Sequence, residues 1–129
     1  METLYSRMKP WLGEEKQLLE RMAGRLDLWE ECVRLFPREE IIAAADQALE
    51  EKDDTRLYGE VHRLKGNLAN FGFDALAWEA EAVLAAIREK SAEQVGEHYR
   101  RLRNEYLKLI ERIGDVEWSG NESEYLSGM

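Results

Sequence analysis

The stretch that decides the fold is LYGEVHRLKGNL, residues 57–68, at the centre of a helix that we predict from about Asp54 to Phe71. Its apolar residues recur at intervals of three and four, the spacing of one helical face. At about 100° per residue, five apolar side chains fall within about 40° of one line along the helix. They are Leu57, Val61, Leu64, Leu68 and Phe71. We predict that this line is buried and that the opposite face is open to solvent.

The outward face of this helix carries a histidine. His62 points about 140° away from the buried line, and Gly66 lies opposite the core at about 180°. Tyr58, Ala69 and Asn70 flank the same face. A glycine inside a helix costs about 1 kcal/mol relative to alanine, so a glycine on an exposed face needs a reason. For Gly59 and Gly66, the simplest reason is clearance for a partner surface that approaches His62.

The residues around His62 suit an anionic group. An imidazole is largely neutral, and therefore nucleophilic, near pH 7. Lys65 lies one turn further on and can swing its ammonium toward a group on the ring, where a dianionic phosphoryl would attract it. Between residues 55 and 73, Arg56, Arg63 and Lys65 stand against Glu60, an excess of positive charge in an acidic chain. A surface histidine beside a surface lysine is also commonplace, so these residues alone indicate an approachable histidine without assigning a reaction.

The rest of the chain is predicted to be helical. Short helices are expected at about 3–11 and 14–25, and longer ones follow, with Pro37 kinking or restarting the first of them. Predicted N-caps are Asp27, Asp53, Asp74 and Ser91, and predicted C-terminal glycines are Gly72 and Gly114. Long helices joined by short turns predict an all-α fold, an antiparallel up-down-up-down four-helix bundle with the short N-terminal helices packed on one end. The predicted bundle unit is 1–114, with its core at about 27–114, followed by a loosely docked acidic tail, 115–129.

Composition excludes several classes of function. The chain has 129 residues, is 44% hydrophobic and 35% charged, and carries a formal net charge of -9. An acidic chain repels a phosphate backbone, so we expect no nucleic-acid partner. We expect no membrane segment, and hence a cytoplasmic protein, because no apolar run approaches the ~18 residues that a span needs. A single cysteine, Cys32, excludes an internal disulfide, and two histidines do not make a metal site. We expect a monomer without cofactor or metal.

The run His62-Arg63-Leu64-Lys65-Gly66, followed by Gly72, resembles the H-x-L-K-G-x5-G signature of histidine-containing phosphotransfer (HPt) domains. The likeness extends from about Leu28 to Ile113 and includes Phe36. Such domains are four-helix intermediates of two-component phosphorelays.

The resemblance implies a role for each residue of the motif. His62 would accept a phosphoryl group from an aspartyl phosphate on a response-regulator receiver domain and pass it to a second receiver. Lys65 would steady the phosphate, Gly66 would leave room for it and Gly72 would end the helix. The protein would have no ATP site of its own, and Mg²⁺ would belong to the receiver. Partners would be receiver domains, a hybrid histidine kinase, or both.

The sequence departs from the family pattern at one position. Many members carry Gln or Glu twenty-two residues after the histidine, where that side chain can hydrogen-bond the imidazole. Leu84 stands there in this chain, and Glu81, one turn earlier, is predicted to point outward. Trp78 is predicted to be exposed on the same helix, where it can join a docking surface with residues of the histidine helix, cover the N-terminal helix or receive the tail. The other members of that predicted surface are Tyr58, Gly59, Arg63, Gly66, Ala69 and Asn70.

Two other functions remain open at this point. The same histidine, lysine and glycine pattern occurs in the phosphoacceptor domain of chemotaxis-type histidine kinases. A helical adaptor that binds a receiver or kinase without chemistry is also compatible, and Leu84 is its support. Because the chain begins at Met1 and ends soon after the predicted bundle, we expect a stand-alone protein rather than a piece of a kinase.

Overall fold

The computed structural model describes residues 4–35 and 41–115, and this part of the chain is almost entirely helical. In chain order the helices are α1 Leu4–Met8, α2 Glu15–Arg21, α3 Leu26–Leu35, α4 Ile41–Glu50, α5 Asp54–Asn70, α6 Asp74–Arg88 and α7 Ala92–Asp115, with a short 3-10 helix Lys9–Trp11 after α1. These described residues form no strand, which confirms the predicted all-α class.

The bundle is formed by α4, α5, α6 and α7, each packed against the next helix in the chain. The three connections, 51–53, 71–73 and 89–91, have three residues each, and turns this short make neighbouring helices antiparallel. The middle residue of every turn is left-handed, with φ of +56° at Lys52, +85° at Gly72 and +57° at Lys90. Only Gly72 signals that conformation in the sequence, because glycine adopts it without a steric penalty.

The predicted apolar lines meet in one core. Leu57, Val61, Leu64 and Leu68 of α5 are buried, as predicted, and Phe71 is half-buried. From α7, the predicted stripe is buried throughout; its residues are Val95, Tyr99, Leu102, Tyr106, Leu109 and Ile113. Among the described residues, every non-glycine residue that is buried as a whole carries a hydrophobic side chain. Apolar burial against neighbouring helices therefore fixes which face of α5 is turned to solvent.

Two of the predicted N-caps are confirmed and two are wrong. The Asp53 carboxylate accepts a hydrogen bond from the Arg56 backbone N–H at 3.1 Å, and Ser91 Oγ accepts one from the Gln94 N–H at 3.4 Å. Helices α3 and α6 begin at Leu26 and Asp74, so the other two aspartates lie in the first turn instead of before it. An acidic side chain in the first turn still faces the positive end of the helix dipole.

One predicted helix end differs from the structure. In α3, Leu28 is 43% exposed while Trp29 beside it is buried, and Cys32 is half-buried. Helix α7 continues through Gly114 to Asp115, so that glycine does not end it.

A polar cluster joins α4 to α7. The Asp46 carboxylate accepts hydrogen bonds from the Tyr99 hydroxyl at 2.6 Å and from Arg103 Nε at 3.0 Å. The bond to Asp46 raises the pKa of Arg103, while burial and the same carboxylate raise the pKa of Tyr99. The first and last helices of the bundle are thereby joined by hydrogen bonds and an ion pair.

Helices α1 to α3 lie at one end of the bundle, although α3 falls within the segment 27–114 that was predicted to form the bundle core. The Trp29 indole donates a hydrogen bond to the carbonyl of Phe71 at 2.9 Å, and the backbone N–H of Gly13 donates to the carbonyl of Gly72 at 2.9 Å. The Arg21 guanidinium donates to the last carbonyls of α5, which have no partner inside the helix. The N-terminal helices are therefore hydrogen-bonded to the end of α5 and to the turn that follows it.

Some predictions fall on residues that the structure does not describe. Phe36, Pro37 and most of the predicted tail, residues 116–129, lie outside the described ranges. Within those ranges, no helix is both long and apolar enough to span a membrane.

Candidate functional site

His62 lies on the exposed face of α5, where the helical angles place it. Gly59 and Gly66, a turn to either side, are exposed as well. A methyl group added at either glycine would meet no atom within 4 Å. Packing inside this protein therefore does not require glycine at these positions, and the bare surface around His62 is left open to an approaching molecule.

Lys65 is engaged by the neighbouring helix. Its Nζ donates to Glu81 Oε2 at 2.8 Å, while Glu81 Oε1 accepts from Arg88 Nη2 at 2.7 Å. The Lys65 ammonium, followed by the Arg88 guanidinium, holds the pKa of the Glu81 carboxyl below its usual range. The expectation of a freely swinging lysine is corrected: the ammonium must leave Glu81 before it can reach a group on His62.

The closest aromatic neighbour of His62 is Tyr58, one turn before it. The two rings are stacked with centroids 6.3 Å apart and planes 17° apart. The Tyr58 hydroxyl accepts a hydrogen bond from Arg88 Nη1 at 2.9 Å. Among the described residues, no hydrogen bond reaches the His62 ring. Leu84 is buried in the core and cannot supply one.

The charges around His62 differ from the predicted set. Arg56 turns back toward the preceding turn, where its Nη1 lies 3.4 Å from Glu51. Arg63 remains on the exposed face, 4.0 Å from Glu60. Arg88 of α6 replaces Arg56, so the positive character of this face comes from two helices rather than one.

The other predicted docking residues lie on both sides of His62. Asn70 is exposed and Ala69 half-buried, and their carbonyls are the ones that Arg21 binds. Trp78 is 74% exposed. It lines a cavity of about 190 Å³ together with Lys65, Asp74, Ala77 and Glu81. The structure thus brings Trp78 to the Lys65 side of the histidine helix.

Two residues of this region were missed from the sequence. Arg88 follows Glu81 by seven residues, which is two helical turns and places both on one face of α6, so that spacing is a usable signal. Arg21 reaches α5 across a tertiary contact and leaves no such signal.

The second histidine has different surroundings. His98 is half-buried on α7, and its Nδ1 is buried without a hydrogen-bond partner among the described residues. Nor do His, Cys, Asp and Glu side chains in the described ranges form a group of three that could hold a metal ion.

The comparisons with known proteins agree with this geometry. A family model for the Hpt domain matches residues 38–112, more than half of the chain, and this segment contains α4 to α6 and most of α7. Neither the comparison with curated proteins nor that with solved structures gave a significant match. The matched segment contains His62, Lys65 and Gly66, which carry the sequence likeness. The chain belongs to the Hpt domain family, the histidine phosphotransfer modules of two-component systems.

Proposed function

We propose that this protein carries a phosphoryl group on His62 between receiver domains of a multistep phosphorelay. The observation that supports the proposal is the placement of His62 on an exposed helical face with open glycines a turn before and after it. A receiver must bring an aspartyl phosphate within bonding distance of a ring nitrogen, and a bare helix surface permits that approach.

The transfer is a nucleophilic substitution at phosphorus. The unprotonated ring nitrogen of His62 forms a bond to phosphorus as the bond between phosphorus and the aspartyl oxygen breaks, and the carboxylate leaves with the electron pair. The proton on the other ring nitrogen can pass to solvent, because His62 is exposed. The return step reverses these bonds on a second receiver. The protein supplies no ATP site in this scheme, and Mg²⁺ is bound by the receiver.

Lys65 changes partner during the transfer. A phosphoryl group on His62 carries about two negative charges and competes with the single charge of Glu81 for the Lys65 ammonium. Lys65 then steadies the phosphoryl group, and Glu81 remains paired with Arg88. The pair between Lys65 and Glu81 is partly exposed, so its separation is a small cost.

The decisive experiment is phosphoryl transfer from a labelled receiver. The wild-type protein is mixed with a ³²P-labelled receiver domain in Mg²⁺, and acid-labile, base-stable label is measured on the protein. His62→Gln should abolish the label. His98→Gln is the matched control, since it removes the other histidine, and it should leave labelling within about twofold of wild type.

The outcomes separate the open alternatives. Label supplied only by an ATP-loaded kinase would assign the chain to the chemotaxis-type phosphoacceptors. Binding of receivers without label would assign it to the adaptors. Label that persists in His62→Gln and disappears in His98→Gln would overturn the assignment of His62.

A further inference from the structure

The ring of His62 has a neighbour that can fix its orientation, although Leu84 of the adjacent helix is apolar. Leu84 is 1% exposed and belongs to the core. Glu81 of α6 uses both carboxylate oxygens on Lys65 and Arg88. No described residue hydrogen-bonds the imidazole. A nucleophile without an orienting contact samples several rotamers, and few of them point a ring nitrogen at an incoming phosphorus.

Tyr58 provides a contact of another kind. Residues four apart on a helix lie one above the other, which places the Tyr58 ring beside the His62 ring. Their centroid separation of 6.3 Å falls in the range of interacting aromatic pairs, and the 17° between their planes makes the arrangement a stack. A flat ring alongside the imidazole restricts rotation about the bond that joins the imidazole to Cβ.

The stack restricts the imidazole more firmly when Tyr58 itself is held. Arg88 donates one nitrogen to the Tyr58 hydroxyl at 2.9 Å and another to Glu81 at 2.7 Å. Glu81 in turn accepts from Lys65 at 2.8 Å. These contacts run from Tyr58 on α5 to Arg88 and Glu81 on α6 and back to Lys65 on α5. They span the turns of α5 that carry His62.

We propose that Tyr58, anchored by Arg88, is the positioning residue of the His62 ring. The inference rests on the proposed function for its consequence in phosphoryl transfer. The orientation of the ring is a property of the free protein and is measurable without any transfer.

The first arm of the test is NMR of the His62 ring in the unphosphorylated protein. Tyr58→Leu removes the ring, Tyr58→Phe keeps the ring without its anchor, and Arg88→Met removes the anchor together with the contact to Glu81. We expect Tyr58→Leu to shift the His62 ring protons by loss of the tyrosine ring current and to average the side-chain rotamers. Tyr58→Phe should keep most of the shift. Arg101→Met is the matched control, because Arg101 is an exposed arginine paired with a glutamate of its own helix.

The second arm is the rate of phosphorylation, measured with a phosphorylated receiver and with phosphoramidate, a small donor that needs no docking surface. Tyr58→Leu should slow labelling by both donors about tenfold, and Tyr58→Phe by about threefold or less. Slowing with the receiver alone would make Tyr58 a docking residue and overturn the proposal. So would unchanged His62 ring signals and rates in Tyr58→Leu.

Failure of the proposed function gives a different pattern. A wild-type protein that takes no label from any receiver would refute the relay, while the NMR arm would still show whether Tyr58 orients the ring. Circular dichroism of each variant identifies any that fails to fold. If Tyr58→Leu fails to fold, Tyr58→Phe still tests the proposal.

Discussion

Glu81 and a phosphoryl group on His62 would compete for the same cation, the Lys65 ammonium. Its carboxylate holds Lys65 and Arg88 at 2.8 and 2.7 Å, and it faces the cation that a phosphoryl group on His62 would need. Two cations around one carboxylate favour its ionised form, which is why the pKa of Glu81 is lowered. The same negative charge opposes a dianion nearby.

We expect Glu81→Gln to move the equilibrium of phosphoryl exchange toward His62. Removal of one like charge at close range in a water-exposed site is worth about threefold to tenfold in the equilibrium constant. The measurement is the ratio of phosphorylated protein to phosphorylated receiver after the label has equilibrated between them. Glu79→Gln, which removes the same charge from the same helix, should leave the ratio unchanged. Equal shifts in the two variants would show that net charge, and not the hold on Lys65, sets the equilibrium.

The same residues show how far the sequence predicts the site. The direction in which His62 points follows from the spacing of Leu57, Val61 and Leu64. Once that apolar face is buried, the directions of all other side chains on the helix are set. The pairing of Lys65 was not predicted, since its partner lies sixteen residues away on another helix. The helical angle gives the direction in which a side chain points. It does not show which residues of the adjacent helix lie within reach of that side chain.

At the scale of the helix, the exposed face of α5 carries a residue that lowers helix stability. Gly66 is exposed, and an added methyl group would meet nothing, so alanine would fit there. Alanine is also the better helix former by about 1 kcal/mol. The outer face is therefore less stable than the fold would allow, as expected of a surface that a partner must approach closely.

We expect Gly66→Ala to raise the free energy of unfolding by about 0.5–1 kcal/mol and to slow phosphoryl transfer from a receiver. Gly96→Ala on α7 is the matched control, because a methyl group there also meets no atom within 4 Å. It should stabilise the fold by a similar amount without affecting transfer. Chemical denaturation and labelling kinetics measure the two effects. Equal transfer rates in both variants would contradict the role of Gly66 as clearance.

The order and bounds of the bundle helices were largely predictable, and the turns between them were less so. Apolar periodicity gives α5, α6 and α7 to within a few residues. Lys52 and Lys90 have a left-handed backbone conformation, which a lysine in the sequence does not indicate. Arg103 reads as one of several surface arginines, yet it binds Asp46 on α4. Long-range polar contacts of this kind depend on tertiary packing that local patterns do not contain.

In the whole molecule, helices α1 to α3 act as a cover on the end of the bundle nearest Gly72. The contact between Gly13 and Gly72 is close, with the backbone N–H and carbonyl 2.9 Å apart. A methyl group at Gly13 would overlap the carboxylate of Asp74, the first residue of α6. The packing of the N-terminal segment against the bundle thus depends on the absence of a side chain at Gly13.

We expect Gly13→Ala to destabilise the protein by about 1–3 kcal/mol through this overlap. Hydrogen exchange of the Trp29 indole N–H, which is bonded to Phe71, should quicken as the cover loosens. Asp74→Ala in the same chain should restore most of the loss, and a double-mutant cycle in thermal or chemical unfolding measures that coupling. Strictly additive effects would show that the overlap is not the cause.

The packing of α1 and α3 on α7 also sets an order of events during synthesis. A ribosome adds about 5–20 residues each second, so α7 follows α3 by about 4–16 seconds. Through that interval Leu4, Met8 and Trp29, which are all fully buried in the finished protein, have no α7 to pack against. Helices α4 to α6 can pair as they emerge, because each contacts the one made just before it. The N-terminal segment is therefore made before α7 but completes its packing only once α7 is present.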